Sequence, residues 1–146
     1  MKKLLFCLFL LPTFLLSQIY VDKAGDGWDI EVKKALFLIS KTSPTHYKNI
    51  IDNVKRIEFW NQNYSSNDGQ EVIVIAAKDM KLGSINNIAA VLVHESCHII
   101  LNGSHLNPSK EETECYIYEL VFLKKLQNVE SDLISHTEHQ LENYIK

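Results

Sequence analysis

Apolar residues recur at helical spacing in "WDIEVKKALFLIS", where Ile30, Val32, Ala35, Leu36 and Ile39 share one side. That pattern predicts an amphipathic helix. Asp26, Gly27 and Asp29 at its start lack the D-x-[DN]-x-[DN]-G order of a calcium loop and read as a turn with a helix N-cap. Ser43 and Pro44 predict the cap and first position of a second helix running to about Val54, since proline at that position sacrifices no helix hydrogen bond. "RIEFW" and "EVIVIAA" are rich in β-branched and aromatic residues, and the polar stretch between them contains Asp68-Gly69. Together they predict a β-hairpin.

Ser84 then caps a helix that reaches Leu101 or Asn102, with Gly103 supplying a left-handed stop. From Ile88 to Leu101 this helix is apolar around nearly its whole circumference, the mark of a central, buried element. Another helix begins near Pro108 or Ser109, with Cys115, Tyr118, Phe122 and Leu126 in one stripe, and "ESDLISHTEHQLENYIK" reads as a last amphipathic helix. Two helices, a hairpin and three helices make an α+β domain, in which the hairpin or a small sheet packs against the buried helix.

The N-terminus changes the picture of where this domain works. Lys2 and Lys3 precede an apolar run from Leu4 to Leu16, followed by Ser17 and Gln18. This is the layout of a secretory signal peptide over residues 1–17, leaving a single domain over 18–146. The run is too short for a membrane span of about 20 residues, so no stable membrane insertion is expected after cleavage. The 146-residue chain has a formal net charge of −3. Residues 1–17 carry two lysines and no acid, so the mature chain stands at −5. Such a chain has no electrostatic footprint for nucleic acid. Export, whether secreted or periplasmic, would place Cys97 and Cys115 in an oxidising compartment.

The buried helix carries "HESCH", residues 94–98. Burying these groups without partners is costly. On a helix, His94 and His98 lie one turn apart on one face, where both imidazoles can bind one ion, and Glu95 lies beside the open coordination position. From there it can take a proton from zinc-bound water. With the chain's six histidines and eleven glutamates, random placement yields H-E-x-x-H roughly 0.02 times. A metal site therefore outweighs two core histidines that merely find hydrogen-bond partners. A catalytic zinc usually takes a third protein ligand. The metzincin order would need glycine at 101 and histidine at 104, where Leu101 and Ser104 stand, so His105 could serve only through a differently shaped turn.

At this point the sequence resembles the gluzincin metallopeptidases, which pair H-E-x-x-H with a downstream E-x-x-A or E-x-x-C. Glu112-Thr113-Glu114-Cys115 fits the second motif, and the resemblance implies Glu112 as third ligand in a zincin-like domain. Amphipathicity alone favours Glu111, which lies nearest the centre of the apolar stripe, and Glu114 also flanks it. The resemblance further implies that "EVIVIAA" pairs with an extended peptide or protein substrate, against the plain reading of a buried sheet strand. Tyr116 and Tyr118 are candidate oxyanion donors, although packing is the commoner use of each. His136 and His139 are assigned no role.

The expected function is that of an exported zinc-dependent metallopeptidase, with Zn2+ held by His94, His98 and Glu112 and with Glu95 as general base. The alternative is a catalytically inactive, metallopeptidase-like module that binds zinc or a partner. If Glu112 reaches the same ion as the two histidines, its helix must lie beside theirs. Cys97 and Cys115 then either form a disulfide or remain two separate buried thiols.

Overall fold

The computed structural model describes residues 19–23, 26–62, 65–67 and 71–145. The expected signal peptide and the Asp68-Gly69 turn lie outside those residues. The described chain runs β1 (Tyr20–Val21), α1 (Trp28–Thr42), α2 (Pro44–Asn53), β2 (Arg56–Trp60), β3 (Ser66–Asn67), β4 (Val72–Ala76), α3 (Ala77–Leu82), α4 (Ile85–Leu101), α5 (Pro108–Leu123) and α6 (Ser131–Ile145). This is an α+β arrangement, as the hydrophobic rhythm predicts. None of these helices is long and apolar enough to cross a membrane.

The hairpin expectation is wrong. β2 and β4 are parallel neighbours, with Arg56 opposite Val72 and Trp60 opposite Ala76, in a sheet ordered β1-β2-β4-β3. The antiparallel partner of β4 is the short, polar β3 on the far edge, which places Ser66 opposite Val74 and Asn67 opposite Ile73. β2 and β3 therefore lie on opposite sides of β4. The composition of β4 explains the parallel pairing. Ile73, Val74, Ile75 and Ala76 are all buried, and a continuous apolar run suits a central strand covered on both faces, whereas a hairpin strand with one wet face would alternate.

α4 is the axis of the molecule. It touches α1, α2, α3 and α5 as well as β3 and β4. Its apolar residues Ile88, Ala89, Leu92 and Val93 are at most 1% exposed and join Val32, Ile39, Ile50, Ile57, Ile75 and Phe122 in one core. The Ser84 hydroxyl accepts from the Asn87 amide at 3.2 Å, as the sequence predicts, and Gly103 at φ +87° ends the helix in the left-handed region. At α3 to α4 the chain turns through Gly83, where a Cβ would collide with the Asp79 carbonyl oxygen.

Ser43 does not cap α2 with its side chain. Its hydroxyl instead lies 2.6 Å from His46 Nδ1 and accepts from Lys125 Nζ at 3.0 Å. His46 Nε2 donates to the Tyr118 carbonyl at 3.3 Å. Burial pushes His46 below its ordinary pKa, in keeping with a neutral ring that fastens α2 to α5.

α5 begins at Pro108, as the sequence predicts, behind an Asn107 cap. Asn107 accepts from the Lys110 amide at 2.9 Å and Pro108 occupies the first turn. The α4 and α5 axes are joined covalently, for Cys97 and Cys115 form a disulfide with their Cα atoms 5.4 Å apart. Non-reducing peptide mapping should recover these two cysteines in one linked fragment. Replacing both by alanine should lower the stability of metal-free protein by about 3 kcal/mol, the chain-entropy value for a loop of this length. Two alkylatable thiols in the native protein would contradict the bridge.

Candidate metal centre

Three side chains from two helices converge at the middle of this α4–α5 contact. Nε2 of His94 and Nε2 of His98 are 3.2 Å apart, and each lies 3.6 Å from an oxygen of Glu112. The candidate ligand atoms all lie within 4.8 Å of one another. The histidines meet because they are one helical turn apart on α4, while the N-terminal part of α5 brings Glu112 across from them. Two imidazole nitrogens and a carboxylate oxygen form a donor set suited to a divalent transition metal.

The remaining imidazole nitrogens are also occupied. Nδ1 of His98 is 2.8 Å from Glu111 Oε1, and Nδ1 of His94 is 3.0 Å from Glu119 Oε2. A carboxylate on Nδ1 holds the hydrogen there and leaves Nε2 to present its lone pair, which is how metal-binding histidines are commonly oriented. The structure thus divides work that the sequence reading gave to one residue. Glu112 faces both Nε2 atoms, while Glu111, favoured by amphipathicity, grips the back of His98. Glu114 is exposed and lines a different cavity, together with Thr45 and Asn49, and His105 is exposed beyond the end of α4, so neither joins the cluster.

Glu119 was missed in the sequence. Its signal was present: one acid within "CYIYELVFL", on a helix face that otherwise buries Cys115, Leu120, Phe122 and Leu123. A carboxylate 7% exposed among such neighbours calls for a hydrogen-bonding partner.

Glu95 is 8% exposed and lines two cavities that meet at His94 and Tyr116. One, of about 500 Å3, opens over Glu111, Glu112, His98 and Tyr144. The other, of about 290 Å3, extends toward Lys78, Asn87 and His136. Ser65 belongs to both, bringing the loop before β3 to the rim of the centre. The Tyr116 ring packs 4.5 Å from that of His94 and stacks on Tyr144. Burial, with Glu112 nearby, pushes the Tyr116 phenol up, so it remains a donor at neutral pH. Tyr118 points elsewhere, accepting from Asn49 at 2.7 Å.

Burial alone would depress His94, but Glu112 and Glu119 more than offset it and raise the metal-free imidazole to about 9. The same contact with His94 holds Glu112 below the usual carboxylate range despite its partial burial. Compared with known proteins, the chain has no significant match among family models, curated proteins or solved structures.

These contacts generate two predictions. His94→Ala, His98→Ala and Glu112→Ala should each abolish stoichiometric zinc uptake in equilibrium dialysis, with Glu111→Ala weakening it about tenfold and Glu114→Ala leaving it unchanged. Equal losses for Glu112→Ala and Glu114→Ala would remove Glu112 from the centre. The second concerns pH in chelator-treated protein. Because folding raises His94 from 6.5 to about 9, its contribution to stability is complete below pH 6.5 and is lost as pH rises through 9. Thermal unfolding should show this decline in wild-type protein and not in His94→Gln. Added zinc should reverse the trend, since the ion binds only after that proton leaves.

Proposed function

We propose that this chain is an exported zinc metallopeptidase of gluzincin-like, zincin-type architecture that hydrolyses peptide bonds. The observation carrying this reading is the convergence of His94, His98 and Glu112 beside a cleft that also contains Glu95. A closed structural site has no need of an acid outside the ligand set that lines an open cavity. Zinc held by the three residues would polarise the scissile carbonyl and acidify the attacking water. Glu95 would take the proton from the attacking water and later return it to the leaving amine, so that one carboxylate serves as base and then as acid. Tyr116, kept protonated beside His94, would donate a hydrogen bond to the developing oxyanion.

The sheet supports the same reading with one change of strand. β4 has β2 on one side and, along Ile73 and Val74, β3 on the other, so over those residues a substrate would meet β3 rather than β4. β3 is the terminal strand of the described sheet, and Ser65 and Ser66 border the cleft. An extended peptide would add to that edge through backbone hydrogen bonds. The Cys97–Cys115 bridge fits a protein that works outside the reducing cytoplasm.

Glu95→Gln separates catalysis from metal binding. The variant should hold one zinc while its cleavage of a mixed peptide library falls by at least about a hundredfold. If Glu95→Gln cleaves as fast as wild type, Glu95 is not the base. A zinc-loaded wild type that cleaves no peptide would favour the non-catalytic module.

A further inference from the structure

α6 supplies no candidate ligand, yet a polar residue at its middle is among the most buried in the protein. Thr137 is 1% exposed, and its hydroxyl donates to Glu119 Oε1 at 2.8 Å. The other oxygen of the same carboxylate, Oε2, is 3.0 Å from His94 Nδ1. The two oxygens of Glu119 therefore look in different directions, one to the metal-facing histidine and one to α6. A carboxylate with only one anchored oxygen can rotate about its terminal torsion, which is broad and roughly two-fold. Anchoring both fixes its plane.

A second acceptor lies near the Thr137 hydroxyl. The Leu133 carbonyl is 3.0 Å away, but it is the usual i−4 acceptor of an α-helix and already receives the backbone amide of Thr137. Glu119 is closer and charged, so its bond takes the larger share of the single hydroxyl hydrogen. α6 is itself held in place at both ends. Asn86 of α4 donates to the Asn128 carbonyl and to Glu130 just before α6 at 3.0 and 2.8 Å, and Ser109 of α5 donates to the Tyr144 carbonyl at 3.1 Å.

We propose that Thr137 is a positioning residue for the metal centre: through Glu119 it fixes the tautomer and orientation of His94, and so makes metal affinity depend on the docking of α6. The proposal rests on reading His94, His98 and Glu112 as metal ligands. It adds a helix that contributes nothing to the first coordination sphere. Thr137→Val keeps the shape of the side chain and removes the hydroxyl. Thr137→Ser keeps the hydroxyl and removes a methyl group.

The test is zinc affinity of the full mature chain by chelator competition, with thermal unfolding of the metal-free proteins in parallel. Thr137→Val should bind zinc about tenfold more weakly, the lower end of the range for residues that orient metal-bound histidines, while Thr137→Ser stays within about threefold of wild type. A purely structural role would lower metal-free stability in the valine variant and leave the affinity of the folded fraction unchanged; that result overturns the proposal. If Thr137→Val does not fold, Glu119→Gln serves in its place. This variant keeps an amide of the same shape between Thr137 and His94, and should also lose about tenfold; wild-type affinity in it would overturn the proposal. A wild-type protein that binds no zinc overturns the metal centre and the positioning role together, whereas tight wild-type binding with unaltered variants overturns only the latter.

Discussion

Two imidazoles on the inner side of α4 have to be compensated, and the rest of the molecule is arranged around that constraint. An unpaired buried polar group costs several kcal/mol against a net stability of about 5 to 15 kcal/mol, so the helix could not stand in this core alone. α5 meets the need. It supplies Glu111 and Glu119 to the two Nδ1 atoms and sets Glu112 against the two Nε2 atoms. The disulfide lies on the same pair of helices, between residues each three positions from a candidate ligand, His94 on one side and Glu112 on the other. Covalent and polar ties thus fix a single interhelical register, and any slip would move Glu112 off both histidines.

With the centre fixed from the α5 side, its other side stays open. The sheet lies against α4 through β3 and β4, and the polar β3 edge and the loop carrying Ser65 form the rim of the cleft. Ser65 also accepts from the Ala76 amide at 2.9 Å and donates to Asp79 at 2.6 Å, so the end of β4 and the start of α3 hold the rim in place.

Much of this was legible in the residues. The long helices were, because their 3.6-residue rhythm and caps agree, as at Ser84 and Gly103. The pairing of His94 with His98 and the place of Glu112 were readable from spacing together with the resemblance. Sheet topology was not, since "RIEFW", a polar turn and "EVIVIAA" describe a hairpin locally. The two-residue β3 that separates hairpin from crossover has no apolar signature, and the continuous burial of Ile73 to Ala76 was the one hint. Nor could sequence distinguish the duties of Glu111, Glu112 and Glu119, because which nitrogen of which imidazole each reaches depends on the rotation of α5 against α4. Thr137 was invisible for a related reason: its partner lies 18 residues away on another helix.

The proposed chemistry requires that His94, His98 and Glu112 hold a single metal ion. X-ray absorption spectroscopy of the zinc-loaded mature protein tests it most directly. Ligation by these three residues predicts a first shell of nitrogen and oxygen scatterers only, at about 2.0 to 2.1 Å, with the outer-shell pattern of two imidazoles and no change on reduction of the disulfide beyond its effect on occupancy. A sulfur shell at about 2.3 Å, a single imidazole, or the absence of stoichiometric zinc would contradict it.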